Sequence, residues 1–410
     1  MASANPNATF GTNDDLAVKI WAKKLFVESI KATQLDKFIG TGSDSVIQVK
    51  DELSKGAGDT LHYGLRMQLA GAGIAGDSTL DGQEESLVTY RDTITINQLR
   101  HAVKVVGNMS QQRVTFDIRA EAQAGLVDWW AQRLDASLIN QLSGNTNPTN
   151  TNNIYSGMNA VINPTVTQAA SGVRNYLASD HAILPDDLTA DSNLSTVDLA
   201  EKELSDDGPV DAASQAKFAF NLRMLDKAVI KARTLATPIR PIKMNGMECY
   251  VAFLHPYQIY DLRRNTQSGQ WMDIQKAALQ GGAITKNPLF TGAVGMYSGV
   301  IIHEDARVPF GTSTGINAAH QTYLSSDAEG VARGIFCGAQ AGCIAFGRAY
   351  GYSGSNIKFK WTEVLNDYEN QLGVSSALVY GMKKTQFNSK DFGTIVMSSY
   401  SPGTGGTIKD

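Results

Sequence analysis

The residues that most suggest chemistry are Gly71, Gly73 and Gly76, which form the pattern GxGxxG after an alternating apolar segment. Dinucleotide-binding proteins use this pattern at a strand-to-helix turn, where the helix N-terminus holds the pyrophosphate. Here the chain continues as DSTLDGQEES, which does not predict a helix and whose acidic residues would repel phosphate. The pattern therefore favours a flexible loop over a dinucleotide site.

The other reactive side chains do not combine into a recognisable site. The six histidines are widely separated, and His303 is followed by Glu-Asp without the second histidine of an HExxH zinc motif. Cys337 and Cys343 lack the CxxC spacing typical of structural zinc. Two aspartate pairs, at 186–187 and 206–207, lie in polar segments typical of solvated loops. Without a GxSxG motif or a P-loop, we predict no enzyme, no metal site and no cofactor.

Length and charge narrow the classes of function. A chain of 410 residues predicts roughly two to four packed units. With 36 basic and 40 acidic side chains the net charge is −4, which weighs against a dedicated DNA- or RNA-binding protein. Charged residues make up only 19% of the chain, below the ~25% typical of soluble domains. This suits a surface that partners largely cover.

Cysteine usage and the N-terminal residues predict a compartment. Three cysteines cannot form a disulfide framework, so a reducing environment is expected. Residues 1–15 lack the charged and apolar regions of a secretory signal. No apolar run reaches the ~18 residues that a transmembrane helix needs. We therefore expect a protein that is made in the cytoplasm and has no membrane partner.

The clearest periodicity predicts a long β-hairpin. Apolar and polar side chains alternate in residues 61–69 and again in 88–97, as in antiparallel strands with one apolar face. Residues 70–86 between them contain four glycines, four acids and no basic residue, and are too many for a tight turn. Strands of ten residues would span roughly 30 Å. We expect an arm that lies on another surface and carries a long flexible loop at its tip.

Three segments predict helices. Residues 13–38 have apolar side chains on several sides, so this helix is either buried in its own core or crosses a neighbouring subunit. In residues 110–142 apolar side chains recur at every fourth position, which predicts an unusually long helix of ~45–50 Å. Residues 212–235 predict a helix whose apolar side includes Ile230.

The remaining segments predict an α/β unit and its connections. Residues 249–255 predict a buried strand that Pro256 ends, followed by a short helix over 257–264. The polar segment 145–211 predicts loops and short elements, and the Gly/Ser/Thr-rich residues 398–410 predict an extended surface tail. Apolar-rich extended segments predict further strands at 300–302, 334–346 and 357–380.

Three motifs connect this order of elements to a known family. Residues 250–264 (YVAFLHPYQIYDLRR) resemble its strand and helix with a Leu-Arg ending. Residues 292–309 (GAVGMYSGVIIHEDARVP) are similar to its G-x-x-x-G-x-P-I-I-x-x-x-x-V-P passage, and residues 358–387 resemble its closing strand and apolar return. Together they resemble the major capsid proteins of tailed double-stranded DNA phages, which have the Hong Kong 97-like fold. They look closest to those of podophages of the coliphage N-four type, with 145–211 unmatched.

The resemblance implies an α+β Hong Kong 97-like capsid fold with an E-loop β-hairpin and a long spine helix. Its implied divisions are an N-terminal arm with helix (1–58), the E-loop hairpin (59–102), a peripheral domain with the spine helix and an irregular insertion (103–211), an α/β axial domain (212–350), and return strands of the peripheral domain with a C-terminal tail (351–410). The hairpin would lie over a neighbouring subunit. Contacts between subunits are then expected at Arg66, Asp77, Asp81, Glu84, Glu85 and Arg91.

The implied function is that of a structural protein of the virion. Copies of the chain would assemble in the host cytoplasm as hexamers and pentamers into an icosahedral head. That head would enclose double-stranded DNA without sequence-specific binding. The implied partners are further copies of the chain and a portal protein, with a separate scaffold and a decoration protein as additional candidates.

Three other hypotheses about the function stay open at this point. An encapsulin-type nanocompartment shell would share the fold but package enzymes instead of DNA. A dinucleotide-binding oxidoreductase built on GAGIAG would need a helix from residue 77 onward. A secreted surface-layer or adhesin subunit is disfavoured by the missing secretory signal.

Overall fold

Two main sheets, two isolated strand pairs and five α-helices make up the described part of the chain in the computed structural model. The residues that the structure describes are 15–51, 58–65, 73–77, 81, 90–104, 107–113, 118–144, 182–183, 220–235, 237–244, 246–264, 293–313, 321–322, 330–348, 358–368, 370–388 and 390–401. The helices are α1 Asp15–Ala32, α2 Asn108–Arg113, α3 Ile118–Leu142, α4 Leu222–Thr234 and α5 Pro256–Arg264.

The strands fall into the two main sheets and two isolated pairs, β3 with β4 and β17 with β18. They are β1 Ile39–Gly40, β2 Ile47–Lys50, β3 Thr60–Leu65, β4 Tyr90–Thr95, β5 Asn97–Lys104, β6 Ala182–Ile183, β7 Ile242–Met244, β8 Met247–Leu254, β9 Ala293–Tyr297, β10 Val300–Glu304, β11 Phe310–Ser313, β12 Gln321–Thr322, β13 Gly330–Cys337, β14 Gly342–Phe346, β15 Phe359–Asn366, β16 Gln371–Lys384, β17 Gln386–Phe387, β18 Lys390–Asp391 and β19 Thr394–Ser401.

Strand β16 organises a six-stranded sheet. It pairs antiparallel with β14, β15 and β5. Because Tyr380 pairs with Phe346 of β14 and also with Asn97 of β5, these two strands lie on opposite edges of β16. Beyond β14 the sheet continues in parallel through β2 to β1. Side chains alternate along a strand, so Val374, Ser376 and Leu378 of β16 are buried on the core side, while Ser375 and Ala377 face the other side.

Helices α1 and α3 cover the core side of this sheet. Leu25 of α1 and Leu126 and Trp130 of α3 are fully buried in one cluster with the sheet. The Trp130 indole donates a hydrogen bond of 2.6 Å to Ser376 Oγ on β16, which satisfies its buried N–H. Over 22–32 the first helix therefore lies in its own core, the first of its two predicted alternatives.

The predicted long helix corresponds to α3, whose 25 residues span about 37 Å. The apolar side chains repeated at every fourth position from Ala122 to Leu142 are all buried, which confirms the predicted face. Gly144 follows the helix at φ 69°, a left-handed conformation that glycine adopts without strain. The short α2 precedes it, and residues 114–117 lie outside the described part.

The nine-stranded sheet is built around β13. Strand β19 pairs with β13 along eight residues, while β8 and β11 also pair with β13. Strand β8 pairs in parallel with β10, and β6 adds in parallel to β19. Helices α4 and α5 cover one face of this sheet through Leu225 and Leu262, against Tyr250 and Ile395. The predicted strand that ends before Pro256, with a helix after it, is confirmed by β8 and α5.

The two sheets share one hydrophobic core. Val251 and Phe253 of β8 lie in the same buried cluster as Leu138 and Leu142 of α3. Nearby, the guanidinium of Arg307 donates a 2.7 Å hydrogen bond to Asp135 Oδ2 of α3. Both side chains of this ion pair are largely buried, so it ties the nine-stranded sheet to the helix that covers the six-stranded one.

Three sequence expectations need correction. Of the predicted helix over 212–235, residues 212–219 lie outside the described part, and α4 begins only after Asn221, whose side chain accepts the N–H of Met224 at 3.1 Å. Ile230 is 61% exposed instead of lying on the apolar side. The predicted surface tail is wrong for 398–401, because Ser398 and Ser399 are buried in β19. Most of the segment 145–211 lies outside the described residues. Among the helices that the structure describes, none is long and apolar enough to cross a membrane.

The end of the first helix also differs from the expectation for residues 13–38. The α-helix stops at Ala32, and a 3₁₀ turn over Gln34–Phe38 follows it. Phe38 is buried against Phe253, with ring centroids 5.0 Å apart in an edge-on arrangement. The chain therefore bends to place Phe38 in the core shared by both sheets.

Candidate assembly interface

The predicted hairpin is confirmed by the antiparallel pair β3–β4. Its register places Leu61 opposite Ile94 and Tyr63 opposite Asp92. Along β3 buried and exposed residues alternate strictly, and the buried face packs on Cys343 and Ala345 of β14. The base of the hairpin, which we call the hairpin root (β3, β4 and their contacts), therefore lies on the six-stranded sheet of its own chain.

Asp92 is the polar centre of the hairpin root. Its Oδ2 accepts hydrogen bonds from Tyr63 Oη and from the backbone N–H of Gln386, both 3.0 Å long. The ammonium of Lys383 forms an ion pair with Oδ1 and also donates to the Thr93 carbonyl oxygen at 2.8 Å. A buried carboxylate with several donors is strongly held, so Asp92 fixes the hairpin to the end of β16.

Burial and the neighbouring carboxylate also act on the phenol of Tyr63. Desolvation, followed by the charge of Asp92, raises the pKa of Tyr63 well above its ordinary value. The hydroxyl therefore remains protonated and continues to donate to Asp92. The same oxygen lies 3.3 Å from Thr385 Oγ1, which extends the polar contacts of the root to the segment that follows β16.

Close backbone approach explains a glycine under the root. A Cβ at Gly381 would lie 2.3 Å from the carbonyl oxygen of Thr95. No side chain fits at that distance, so glycine lets β4 cross directly over β16. Gly347 is similar, because a Cβ there would lie 2.8 Å from Ile96 Cδ1.

Traced from β5 to the hairpin root, the chain runs along β16 from Gly373 towards Phe387. Strand β5 pairs with β16 from Lys104, opposite Gly373, to Asn97, opposite Tyr380. The chain then crosses β16 at Thr95, and Tyr90 at the start of β4 contacts Phe387, with ring centroids 4.5 Å apart. The outer end of the described hairpin therefore lies at the Phe387 end of the sheet.

The predicted contact residues are only partly within the described chain. Asp77 and Asp81 are exposed, and Arg91 is exposed on β4 in register with Gly64. Arg66, Glu84 and Glu85 lie outside the described residues. The structure thus places Arg91 at the outer side of the root.

The other half of the same sheet face is not covered by the described residues of the hairpin. We call this surface the open face, and its residues are Arg100, Ala102 and Lys104 of β5, Gly373, Ser375 and Ala377 of β16, and Lys360, Thr362 and Val364 of β15. Its β5 residues are exposed, and those of β16 are half-buried. It contains three basic side chains and no acidic one. Sequence reasoning missed this surface because β5 lies far along the chain from the β15–β16 hairpin, and only strand pairing brings them together.

An exposed aromatic residue lies beside the open face, at the turn between β15 and β16. Tyr368 is fully exposed, and both Asp367 and Tyr368 have positive φ, at 52° and 49°. Asn370 N donates to the Asp367 carbonyl oxygen at 3.0 Å and closes the turn. A tyrosine held outward on a left-handed backbone is a further surface residue that the sequence did not single out.

The glycines and cysteines that the sequence offered for cofactor or metal binding lie in a turn and in the core. Gly73 and Gly76 have positive φ, and a turn at Gly76–Asp77 stands where a dinucleotide site needs a helix. Cys249, Cys337 and Cys343 are buried and form no disulfide, and burial raises the pKa of the Cys337 thiol. In the described ranges no cluster of His, Cys, Asp or Glu could hold a metal ion.

The histidines near the core have a packing role. Burial lowers the pKa of His255 to about 3, so this imidazole is neutral, and its Nδ1 accepts the N–H of Tyr257 at 3.2 Å. His303 packs edge-on against Phe38, with ring centroids 5.0 Å apart. Both side chains stabilise the region where β8 and β10 meet the shared core.

Comparison with known proteins assigns the family. The model of the family described as "Phage capsid protein" matches residues 9–403 of the chain. The chain belongs to the phage capsid protein family. It is a structural protein of the phage virion, and its family is not one of enzymes. The chain is 27% identical over 393 residues to the major capsid protein of Pseudomonas phage KPP25. The alignment covers 92% of this chain and 93% of that protein.

Solved capsids resemble this capsid protein in fold. The capsid of Ralstonia phage GP4 is similar with a TM-score of 0.66 and 27% identity, over 90% of this chain and 91% of that chain. The capsid asymmetric unit of cyanophage Pam1 is similar with a TM-score of 0.59 and 18% identity, over 98% of each chain. The likeness to a cyanophage capsid at such low identity shows the shared phage capsid fold.

Proposed function

We propose that this capsid protein is a major capsid protein with a Hong Kong 97-like fold. In this proposal its copies assemble in the host cytoplasm as hexamers and pentamers into the icosahedral head of a tailed phage, around double-stranded DNA. The observation that carries the proposal is the hairpin, which is fixed at its root by Asp92 and continues into a 17-residue acidic loop over 70–86. An arm whose base is held this firmly suits a contact with a neighbouring subunit through its acidic loop.

The domain divisions belong to this proposal. They are an arm over 1–58, the E-loop over 59–102, a peripheral domain over 103–211, an axial domain over 212–350 and the return strands with the tail over 351–410. The last segment contributes to both sheets, because β15 and β16 lie in the six-stranded sheet and β19 in the nine-stranded one. The closer relation to podophages of the coliphage N-four type also remains a prediction.

Many modest contacts would hold such a head together. An individual exposed ion pair contributes about 0–1 kcal/mol, but a closed shell repeats each interface many times. Arg66, Asp77, Asp81, Glu84, Glu85 and Arg91 are proposed as contacts of this kind. A portal protein, a separate scaffold and a decoration protein are proposed as further partners.

Electron microscopy of the purified full chain, with size-exclusion chromatography alongside, tests the proposal. We expect closed shells, tubes, or rings of five and six subunits. Particles purified from infected cells should contain DNA, whereas packaged enzyme would indicate a nanocompartment shell. A chain that remains monomeric even when expressed with the other head proteins of its phage would contradict the proposal.

A further inference from the structure

The two helices that cover the nine-stranded sheet are strongly basic. Together α4 and α5 contain six basic and two acidic residues, although the whole chain has a net charge of −4. Both carboxylates are held within the fold, because Asp226 accepts a hydrogen bond from Tyr297 Oη at 3.0 Å and Asp261 is buried. We call the outward side of the two helices the basic face, and its exposed or half-buried basic residues are Arg223, Lys227, Lys231, Arg233 and Arg263.

Three of these residues form one row along α4. Arg223, Lys227 and Lys231 occur at every fourth position, so consecutive side chains of the row lie about 6 Å apart along the helix axis. The opposite side of the helix is apolar, and its Leu225 and Ala228 are fully buried against the sheet. The row therefore points away from the core and presents three positive charges within about 12 Å.

The stability of the helix does not explain the whole row. Lys231 and Arg233 lie in the last turn of α4, where cations stabilise the helix dipole. Arg223 is the second residue of the helix, where a cation opposes the dipole, and the first turn contains no acidic residue. A basic residue at this position favours an anionic partner outside the helix.

The residue types of the basic face indicate which anion it fits. Lysine and arginine repeated along a helix are typical of contacts with nucleic acid phosphates, whereas lysine is depleted in protein–protein interfaces. Asparagine and glutamine, which read bases, are absent from α4, and Gln258 of α5 is fully buried. The face therefore suits a phosphate backbone and offers no such base-reading residue on α4.

We propose that the basic face binds the phosphate backbone of double-stranded DNA without sequence preference and forms part of the inner wall of the head. This inference rests on the proposed function, since it names the side of the subunit that meets the packaged genome. The row on α4 contacts about three phosphates in each subunit. Such non-sequence-specific binding is weak, with dissociation constants of about 10⁻⁴–10⁻⁶ M at physiological salt, but the shell repeats it many times.

The salt dependence of DNA binding tests the row. Fluorescence anisotropy of a labelled duplex of about 30 base pairs, titrated with the unassembled full chain between about 50 and 200 mM salt, gives the slope of log K against log salt concentration. The triple variant Arg223→Gln, Lys227→Gln and Lys231→Gln should reduce the size of that slope by about 2–3, because each lost phosphate contact removes about 0.9. The weakening should be equal for A·T-rich and G·C-rich duplexes.

A second triple variant controls for the change in net charge. Arg100→Gln, Lys104→Gln and Lys360→Gln remove the same three charges from the open face, and the slope should stay at the wild-type value. Circular dichroism and urea denaturation establish that both variants are folded before the slopes are compared. An equal loss in the two variants would show that only net charge matters, and would overturn the inference.

Lysine acetylation shows whether the face meets DNA in the assembled head. Particles purified from infected cells are treated with acetic anhydride either filled or after their DNA has been released, and mass spectrometry measures the modification of each lysine. We expect Lys227 and Lys231 to be protected in filled particles and modified in emptied ones. Lys104 and Lys360 should be modified equally in both. Equal modification of Lys227 and Lys231 in the two kinds of particle would overturn the inference.

The outcomes separate this inference from the proposed function. Wild-type shells together with an α4 variant whose salt slope is unchanged would overturn the inference alone. If that variant kept its slope but no longer assembled, the basic face would meet another copy of the chain and the inference would again be wrong. A wild-type chain that never assembles would overturn the proposed function, and the assignment of an inner wall with it.

Discussion

The two halves of one sheet face on β16 differ in what covers them. Near Lys383 the face is covered by the hairpin of its own chain, and its polar groups are satisfied internally by Asp92. Near Ser375 the described hairpin leaves the face open, with small and basic side chains. A single strand thus stabilises the subunit at one end and presents a surface at the other. Substitutions in the covered half should change folding, and those in the open half should change assembly.

The largest effect is expected from Asp92→Ala in the covered half. The substitution removes the carboxylate that pairs with Lys383 and accepts hydrogen bonds from Tyr63 Oη and the N–H of Gln386. Removing one partner of a largely buried ion pair costs about 3–5 kcal/mol. We expect the free energy of unfolding of the unassembled chain, measured by urea denaturation, to fall by most of that amount. Asp77→Ala in the exposed loop is the control, and an equal loss there would contradict the anchoring role of Asp92.

A matched pair of glycine substitutions sharpens the comparison along β16. Gly381→Ala introduces a Cβ 2.3 Å from the Thr95 carbonyl oxygen, so β4 must shift, and overpacking of this kind costs about 1–3 kcal/mol. Gly373→Ala in the open half meets its nearest atom, the Val364 carbonyl oxygen, at 3.4 Å and should be nearly neutral. Thermal unfolding of both variants measures the difference, and equal melting temperatures would refute it.

Tyr63→Phe should have a smaller effect that depends on pH. Loss of the hydroxyl removes one donor to Asp92, which costs about 0.5–1.5 kcal/mol for a typical hydrogen bond. Because the pKa of Tyr63 is raised in the folded chain, its contribution is fully present below the unfolded value of 10.0 and is lost as the pH rises through the folded value. The wild type should therefore lose its advantage over Tyr63→Phe in strongly alkaline buffer. A difference in unfolding free energy that stays constant with pH would contradict this account.

Tyr368→Ala should have the smallest effect on the subunit itself. The side chain is fully exposed, so the unfolding free energy of the unassembled chain should not change measurably. Exposed tyrosines are typical anchors of interfaces. We therefore expect Tyr368→Ala to slow assembly several-fold, whereas Tyr368→Phe should keep most of the wild-type assembly rate. Light scattering during assembly measures this, and unchanged kinetics for the alanine variant would remove Tyr368 from the interface.

The elements predicted from the sequence are those with a strong local period. The alternation in β3 and β4, the repeated apolar face of α3 and the break at Pro256 between β8 and α5 all follow from residues within one segment. Local periods of two and 3.6 residues report which side of an element is buried. The start of α4 was not predicted, because residues 220 and 221 precede the helix and the Asn221 cap decides where it begins.

Residues at the hairpin root show why the rest was not predictable. Asp92 occupies a position in β4 that the alternation with Ile94 and Ile96 assigns to the apolar side of the strand, and its ion-pair partner Lys383 is 291 residues away. The open face likewise joins Arg100 of β5 to Ala377 and Lys360 of the distant β15–β16 hairpin. In both arrangements the partner comes from a distant segment, which a local period does not report.

The local elements, the acidic composition of the hairpin loop and the resemblance to phage capsid proteins all follow from the sequence alone. The burial of Ser398 and Ser399 does not. Their composition is typical of a surface tail, yet β19 pairs with β13, and Gln258 donates to Ser399 Oγ at 2.8 Å. The physical reason is that burial of a polar strand depends on hydrogen-bond partners supplied from elsewhere in the chain. The same long-range pairing divides the face of β16 into a covered half and an open one.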